Sequence, residues 1–152
     1  KLPVKCDWLR RLGTHFAARA KPCLVAGDLN VAHTPLDSRG LAHPPSNNRC
    51  TDLERAGFQD VLDHSELIDP HRERAGDAIM STWWHLGSGT RFPDNGIRFD
   101  YILLAARHRG LIQDSAIHPS VLGSDHCPVS LRLDLTDAPL RLIPTFGPKS
   151  LF

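Results

Sequence analysis

Three short polar segments of the chain lie against apolar runs: Gly27-Asp28-Leu29-Asn30, Arg98-Phe99-Asp100-Tyr101, and Gly123-Ser124-Asp125-His126-Cys127-Pro128-Val129. Asp28 and Asn30, an acid and an amide two residues apart, project to one side of an extended chain. Asp100 enters a strongly apolar strand, where a carboxylate needs a partner because burying it unpaired is costly. Asp125 and His126 point to opposite sides in extended chain, but in a turn before a strand both can line one cavity. Each segment also has a plainer reading: an Asx turn closing the first strand, a structural Asp100–Arg98 pair, and a solvated Asp-His turn. Asp28 falls at the end of its strand, whereas Asp100 and Asp125 fall at the beginnings of theirs. If the later strands run antiparallel to the first, three carboxylates, an imidazole and an amide meet at one sheet edge. Such a set suits a hard cation such as Mg²⁺, which takes oxygen ligands and keeps waters for a phosphate substrate. Metal-assisted phosphoryl transfer is the reaction class this implies.

The elements that must position these residues are readable from periodicity. Leu9, Leu12 and Phe16 recur at helical spacing and predict a helix over 4–20, with Arg10, Arg11 and Arg19 on another face. The apolar run 23–26 predicts a short buried strand, and 34–49, rich in Pro, Ser, Asn and Gly, a loop. Thr51-Asp52-Leu53-Glu54 has the form of a capping box, so a helix of about 12 residues should follow, burying Leu53, Phe58, Val61 and Leu62. Strands are expected at 82–84, 98–104, 111–117 and 129–135. Alternating helices and strands favour an α/β arrangement. Residues 136–152 contain three prolines and little periodicity, which predicts a flexible tail.

At 152 residues the chain has room for one ordinary domain. No apolar stretch approaches the roughly 18 residues of a membrane helix, no secretory signal is evident, and the first residue is Lys1 rather than Met, which reads as an excerpt or a processed chain. The net charge of +1 hides an uneven distribution: residues 51–100 carry 5 basic and 10 acidic side chains, residues 1–50 carry 8 and 3. An acidic middle can hold a cation or form a solvated helical face. Cys6, Cys23, Cys50 and Cys127 form no CxxC pair, so they read as reduced and mostly buried cysteines of an intracellular protein, not a zinc site.

At these motifs the chain resembles the C-terminal half of the exonuclease III/AP endonuclease family. Gly27-Asp28-Leu29-Asn30-Val31-Ala32-His33 with Asp37 is similar to the family's GD-x-N-x-AH…D segment, and Thr82-Trp83-Trp84 to its aromatic strand. Gly96-Ile97-Arg98-Phe99-Asp100-Tyr101 and Gly123–Val129 resemble its G-x-R-x-D-Y and GSDHCPV segments, in matching order across about residues 4–135. The resemblance implies half of a DNase I-like four-layer α/β sandwich with a mixed sheet, spanning 1–135, followed by the tail. It implies an Mg²⁺-dependent enzyme (Mn²⁺ as the substitute) that incises double-stranded DNA at abasic sites, with 3′-repair exonuclease or phosphodiesterase activity besides.

By that resemblance Asp28 handles a proton on the attacking water or leaving oxygen. Asn30 hydrogen-bonds the scissile phosphate, and Asp100 orients His126, which donates to a phosphoryl oxygen. Asp125, with Asp28, Asn30 and His126, is expected around the metal. Trp83, Trp84, Ile97, Arg98 and Phe99 are expected to bind substrate, the apolar members forming the pocket for a flipped abasic sugar. Ile97 replaces a larger aromatic of animal-type members, the 38–49 loop is short, and Gly87-Ser88-Gly89 stands where some members carry a bulky wedge. The family's N-terminal half supplies an Asn, a metal-binding Glu and a Tyr that this chain lacks; Tyr101, its one tyrosine, belongs to the strand after Asp100. The missing half is thus an expected partner, the isolated chain is expected to be inactive, and a large apolar face should be exposed. The expected location is intracellular, nuclear in a eukaryote and cytoplasmic in a bacterium, with no membrane partner. Alternatives are another phosphodiesterase of the superfamily, acting as a general nuclease or on lipid phosphates, and a non-catalytic half-domain binding DNA or a partner chain.

Overall fold

Helix α1 (Leu2–Ala17) forms because Leu9, Leu12 and Phe16 share one face; Leu9 is fully buried and the other two pack against the same core. Its outward Arg10 and Arg11 are both held by Asp7 at 2.7 Å. The computed structural model describes residues 2–18, 24–39, 51–85, 91–92 and 94–136. The expected placements of Arg19, Cys23, Cys50, the 40–49 part of the loop, Gly87-Ser88-Gly89 and the tail beyond Thr136 lie outside them. Cys6 and Cys127 are free thiols, and burial raises the Cys127 pKa.

Helix α2 (Asp52–Ser65) starts at the expected capping box: the Glu54 amide donates to Thr51 Oγ1 at 3.2 Å, and the Thr51 amide donates to Glu54 Oε2 at 3.1 Å. Phe58, Val61 and Leu62 are buried as expected, but Leu53 is 57% exposed. Five residues of helix place Leu53 about 140° around the axis from Phe58, so the two cannot share a face. The α1 and α2 backbones pass closely at Gly13, where a Cβ would lie 3.4 Å from Val61 Cα.

Two short sheets follow. The first has the order β1-β3-β2, from β1 (Leu24–Asp28), β2 (Leu67–Ile68) and β3 (Asp100–Ala105); the second pairs β4 (Ile112–Ile117) with β5 (Val129–Leu133). All these described pairings are antiparallel, so the parallel part of the expected mixed sheet is not among them. Central β3 carries the burial, with Tyr101, Leu103, Leu104 and Ala105 inside. β1, expected to be buried, is an edge strand among the described residues, with Leu24 about half exposed. Residues 82–84 form no strand; Trp83 makes single antiparallel bridges to Ile97 and to His126.

Helix α3 (Pro70–Ala75) was not visible in the apolar pattern. It rests on Asp69, whose carboxylate caps the His71 and Arg72 amides at 3.1 and 3.2 Å, and on Pro70 in the first turn. Short 3₁₀ turns at Pro35–Ser38 and Ala106–Leu111 complete the framework. No helix of the described residues is long and apolar enough to cross a membrane.

Candidate active site

The antiparallel pairing of β1 and β3 sets Asp28 directly opposite Asp100. The condition that would bring the first two polar segments to one sheet edge is therefore met. Asn30 arrives differently from the extended-chain expectation. Its φ is 53°, in the left-handed region, and the chain folds back on Asp28. Asp28 Oδ1 accepts from the Asn30 amide at 2.8 Å and Oδ2 accepts from Asn30 Nδ2 at 2.7 Å. The Asx-turn reading and the clustering of acid and amide are thus both realised in one local structure.

The third segment is brought in by Thr82, Trp83 and Trp84. Fully buried Thr82 accepts the amides of Phe99 and Asp100 on its hydroxyl at 3.0 and 3.1 Å. Its carbonyl accepts the Cys127 amide at 2.8 Å, and the Trp84 amide donates to the Asp125 carbonyl at 2.9 Å. These bonds lay the segment carrying Asp125 and His126 beside the start of β3. His126 Nδ1 lies 2.8 Å from Asp100 Oδ2. An ionised carboxylate only accepts, so Nδ1 carries the hydrogen and Nε2 remains as the ring's other polar atom. Trp83 Nε1 donates to Asp125 Oδ2 at 3.1 Å, the main cause holding the Asp125 carboxyl below its usual range. Arg91, not singled out from the sequence, straps the loop before this segment by donating to the carbonyls of Pro119, Val121 and Ser124.

The expected substrate-binding residues separate. Trp83 is half-buried and its ring packs on Phe99, 5.4 Å between centroids, above Ile97 and Ala32. Ile97 and Phe99 lie buried beneath it. Trp84 is 3% exposed and packs with Ile117 and Cys127, so it serves the core; neighbouring side chains of an extended segment face opposite ways. Gly96 permits the crossing, because a Cβ there would meet the Trp83 carbonyl oxygen at 2.4 Å.

Arg98, also expected to touch substrate, is 1% exposed and is held by two carboxylates, Asp37 and Asp69, with its guanidinium 4.4 Å over the Tyr101 ring. Nor does it pair with Asp100, as the plainer reading had it. Its side chain points across the core, where Asp37 and Asp69 offset the cost of burying a cation. Arg72 joins Asp37 as well. Burial pushes the Asp37 carboxyl up, but Arg98 and Arg72 outweigh it and hold the pKa at about 2. The buried Tyr101 hydroxyl donates to the Val31 carbonyl at 2.7 Å and accepts the His33 amide at 3.2 Å, fixing the chain after Asn30.

Among the described residues no group of three or more His, Cys, Asp or Glu side chains can hold an ion. Asp28 accepts from Asn30, His126 Nδ1 is paired with Asp100 and Asp125 accepts from Trp83, while His126 Nε2 has none of these bonds. Asp28, Asn30, Asp100 and His126 are nevertheless gathered at one end of the sheet, with Asp125 joined through Trp83. Thr82 and Asp69, both central to that placement, were missed by sequence reasoning. Their only signals were a Thr ahead of two tryptophans and an Asp-Pro step.

Carboxylates, an amide and an imidazole thus cluster at one edge of an antiparallel sheet in an α/β framework. The endonuclease/exonuclease/phosphatase family matches residues 3–126, and the chain belongs to that family. An exodeoxyribonuclease of Bacillus subtilis is 34% identical over 138 residues, covering 89% of this chain and 54% of that protein. A DNA-(apurinic or apyrimidinic site) endonuclease of Dictyostelium discoideum is 36% identical over 120 residues, covering 76% of this chain and 32% of that one. In fold the chain is similar to an AP endonuclease from Archaeoglobus fulgidus, with a TM-score of 0.76 at 23% identity, covering 88% of this chain and 55% of that one. The chain spans about half or less of the length of these relatives.

Proposed function

We propose that the chain is the C-terminal half of a DNA repair phosphodiesterase that incises the backbone at abasic sites and has 3′-repair activity besides. The observation that carries this reading is the Asp100–His126 pair, 2.8 Å long, beside the Asp28–Asn30 turn. An imidazole fixed by a carboxylate through Nδ1 presents Nε2 as a directed donor to a phosphoryl oxygen when protonated. Exposed Asp28 is placed to take a proton from water or return one to the leaving oxygen. Asn30 Nδ2 keeps one N–H beyond its bond to Asp28, a donor for charge developing on the phosphate. Trp83 offers an apolar surface of the kind that accepts a baseless sugar and gives a normal nucleotide less room.

The remaining parts of the reading rest on the resemblance and on the names of the relatives. Double-stranded DNA containing abasic sites is the proposed substrate. A divalent cation, Mg²⁺ with Mn²⁺ as substitute, is the proposed cofactor, and the described residues do not complete a site for it. The missing N-terminal half is the proposed partner that supplies the other catalytic groups.

The test compares cleavage of an abasic duplex, an intact duplex and a phosphoinositide by the complete gene product, with and without EDTA. Abasic incision that EDTA abolishes is expected, and Asp28→Asn or His126→Ala should lower it by about 10²–10⁴-fold. Equal cleavage of the intact duplex would make the protein a general nuclease, and turnover of the lipid alone would move it to another branch of the family.

A further inference from the structure

Lys5 is the first cation of helix α1, and its ammonium occupies a specific place. It donates to the backbone carbonyl of Asn30 and, at 2.7 Å, to Glu54 Oε1. Glu54 is buried and is held from its other oxygen by the amide and hydroxyl of Thr51 at 3.1 and 2.8 Å. The ammonium is thus anchored on the first turn of α2 and reaches the site from behind. Asn30 is gripped on two sides: Asp28 holds its amide and side chain, and Lys5 holds its carbonyl. Between those grips the residue keeps a left-handed φ of 53°, a region that Asn tolerates better than most side-chain-bearing residues but that still depends on local hydrogen bonds. Rotation that let Asn30 relax toward the β region would swing its carbonyl off the ammonium and its Nδ2 off Asp28.

We propose that Lys5, seated on Glu54, is a positioning residue for the Asp28–Asn30 turn and sets the direction of the Asn30 side chain. This rests on the proposed phosphodiesterase reading, although the contact itself does not. Lys5 touches no substrate and acts only through Asn30. Its loss therefore lowers turnover more than binding, because misaiming a catalytic group weakens transition-state contacts while leaving substrate affinity largely in place.

The experiment uses the complete gene product with the abasic duplex. Lys5→Met is expected to lower kcat about tenfold or more with KM changed less than about twofold, and Lys5→Arg to recover most of it by keeping a charged donor. Lys5→Met alone strands a buried carboxylate, so the double variant Lys5→Met/Glu54→Gln removes that charge while its Gln preserves the helix cap. The double variant should melt close to the unsubstituted protein yet keep the low kcat. Unchanged kcat in Lys5→Met, or full recovery in the double variant, would overturn the proposal. A second readout does not depend on activity: the Asn30 side-chain amide resonances should shift in the double variant. Unmoved resonances there would overturn the positioning role even in a protein that cleaves nothing. Absence of cleavage with shifted resonances would instead count against the functional reading alone.

Discussion

In the proposed site, His126 is useful only in the direction Asp100 gives it. The 2.8 Å bond from Nδ1 fixes both the ring plane and the hydrogen on that nitrogen, and the buried Thr82 hydroxyl holds the Asp100 amide in turn. Asp100→Asn is isosteric but presents an amide that turns the ring's hydrogen-bond preference around. It is expected to lower kcat by about 10²-fold or more, with little change in melting temperature because Asn keeps the size of the Asp100 side chain and its hydrogen-bonding capacity. Steady-state kinetics and a melting curve on the same sample check both parts, and an Asn variant of full activity would remove Asp100 from the site. Asn30 comes to lie beside Asp28 for a different reason than the one the sequence offered. Strand alternation predicted that it would accompany Asp28, but a left-handed turn and two hydrogen bonds bring it there.

At the scale of elements, the buried Arg98 ties three pieces of chain together: the 3₁₀ turn through Asp37, the cap of α3 through Asp69, and β3, which starts two residues later. Arg98→Met leaves buried Asp69 without its cation and Asp37 with Arg72 alone, and is expected to cost about 3–5 kcal/mol in urea unfolding. The same network gives a pH signature. The Asp37 carboxyl is held at about 2 in the folded protein against 3.8 for the free group. Its contribution is therefore fully present above about pH 4 and is lost as the pH falls through about 2. The shift corresponds to about 2 kcal/mol. Unfolding of the unsubstituted protein and of Asp37→Asn between pH 4.5 and 2 (roughly that window) should show the stability difference shrinking by about this amount as the pH drops. A constant difference would refute the assignment. Sequence reading placed Arg98 at the substrate because its motif adjoins Asp100. Periodicity cannot tell which face of a two-residue lead-in turns to the core.

For the whole molecule, the proposed half-domain has a direct consequence. Edge strand β1 has a hydrogen-bonded neighbour on one side among the described residues, and Leu24, Phe92, Val121 and Leu122 are all about half exposed or more. An open strand edge and scattered apolar surface favour self-association. The 152-residue chain alone is expected to elute as aggregates or melt lower than the complete gene product, and to show no EDTA-sensitive incision. Size exclusion, thermal unfolding and the abasic-duplex assay on both proteins decide it. Robust incision by the isolated chain would show that no further catalytic groups are needed. The exposed Asp28 fits the expectation that another surface closes over the site.

The order and chemistry of the polar segments, the capping box at Thr51 and the core faces of α1 and α2 were legible in the sequence. Each depends on interactions within a few residues or on one helical period. The antiparallel pairing that sets Asp28 opposite Asp100 is a choice of strand partner 72 residues apart in register, which local pattern does not encode. The inward turn of Arg98 and Trp84 and the reach of Lys5 to Asn30 were likewise decided by packing. They depend on which burial leaves the fewest polar groups unpaired, and that balance exists only once the elements have met.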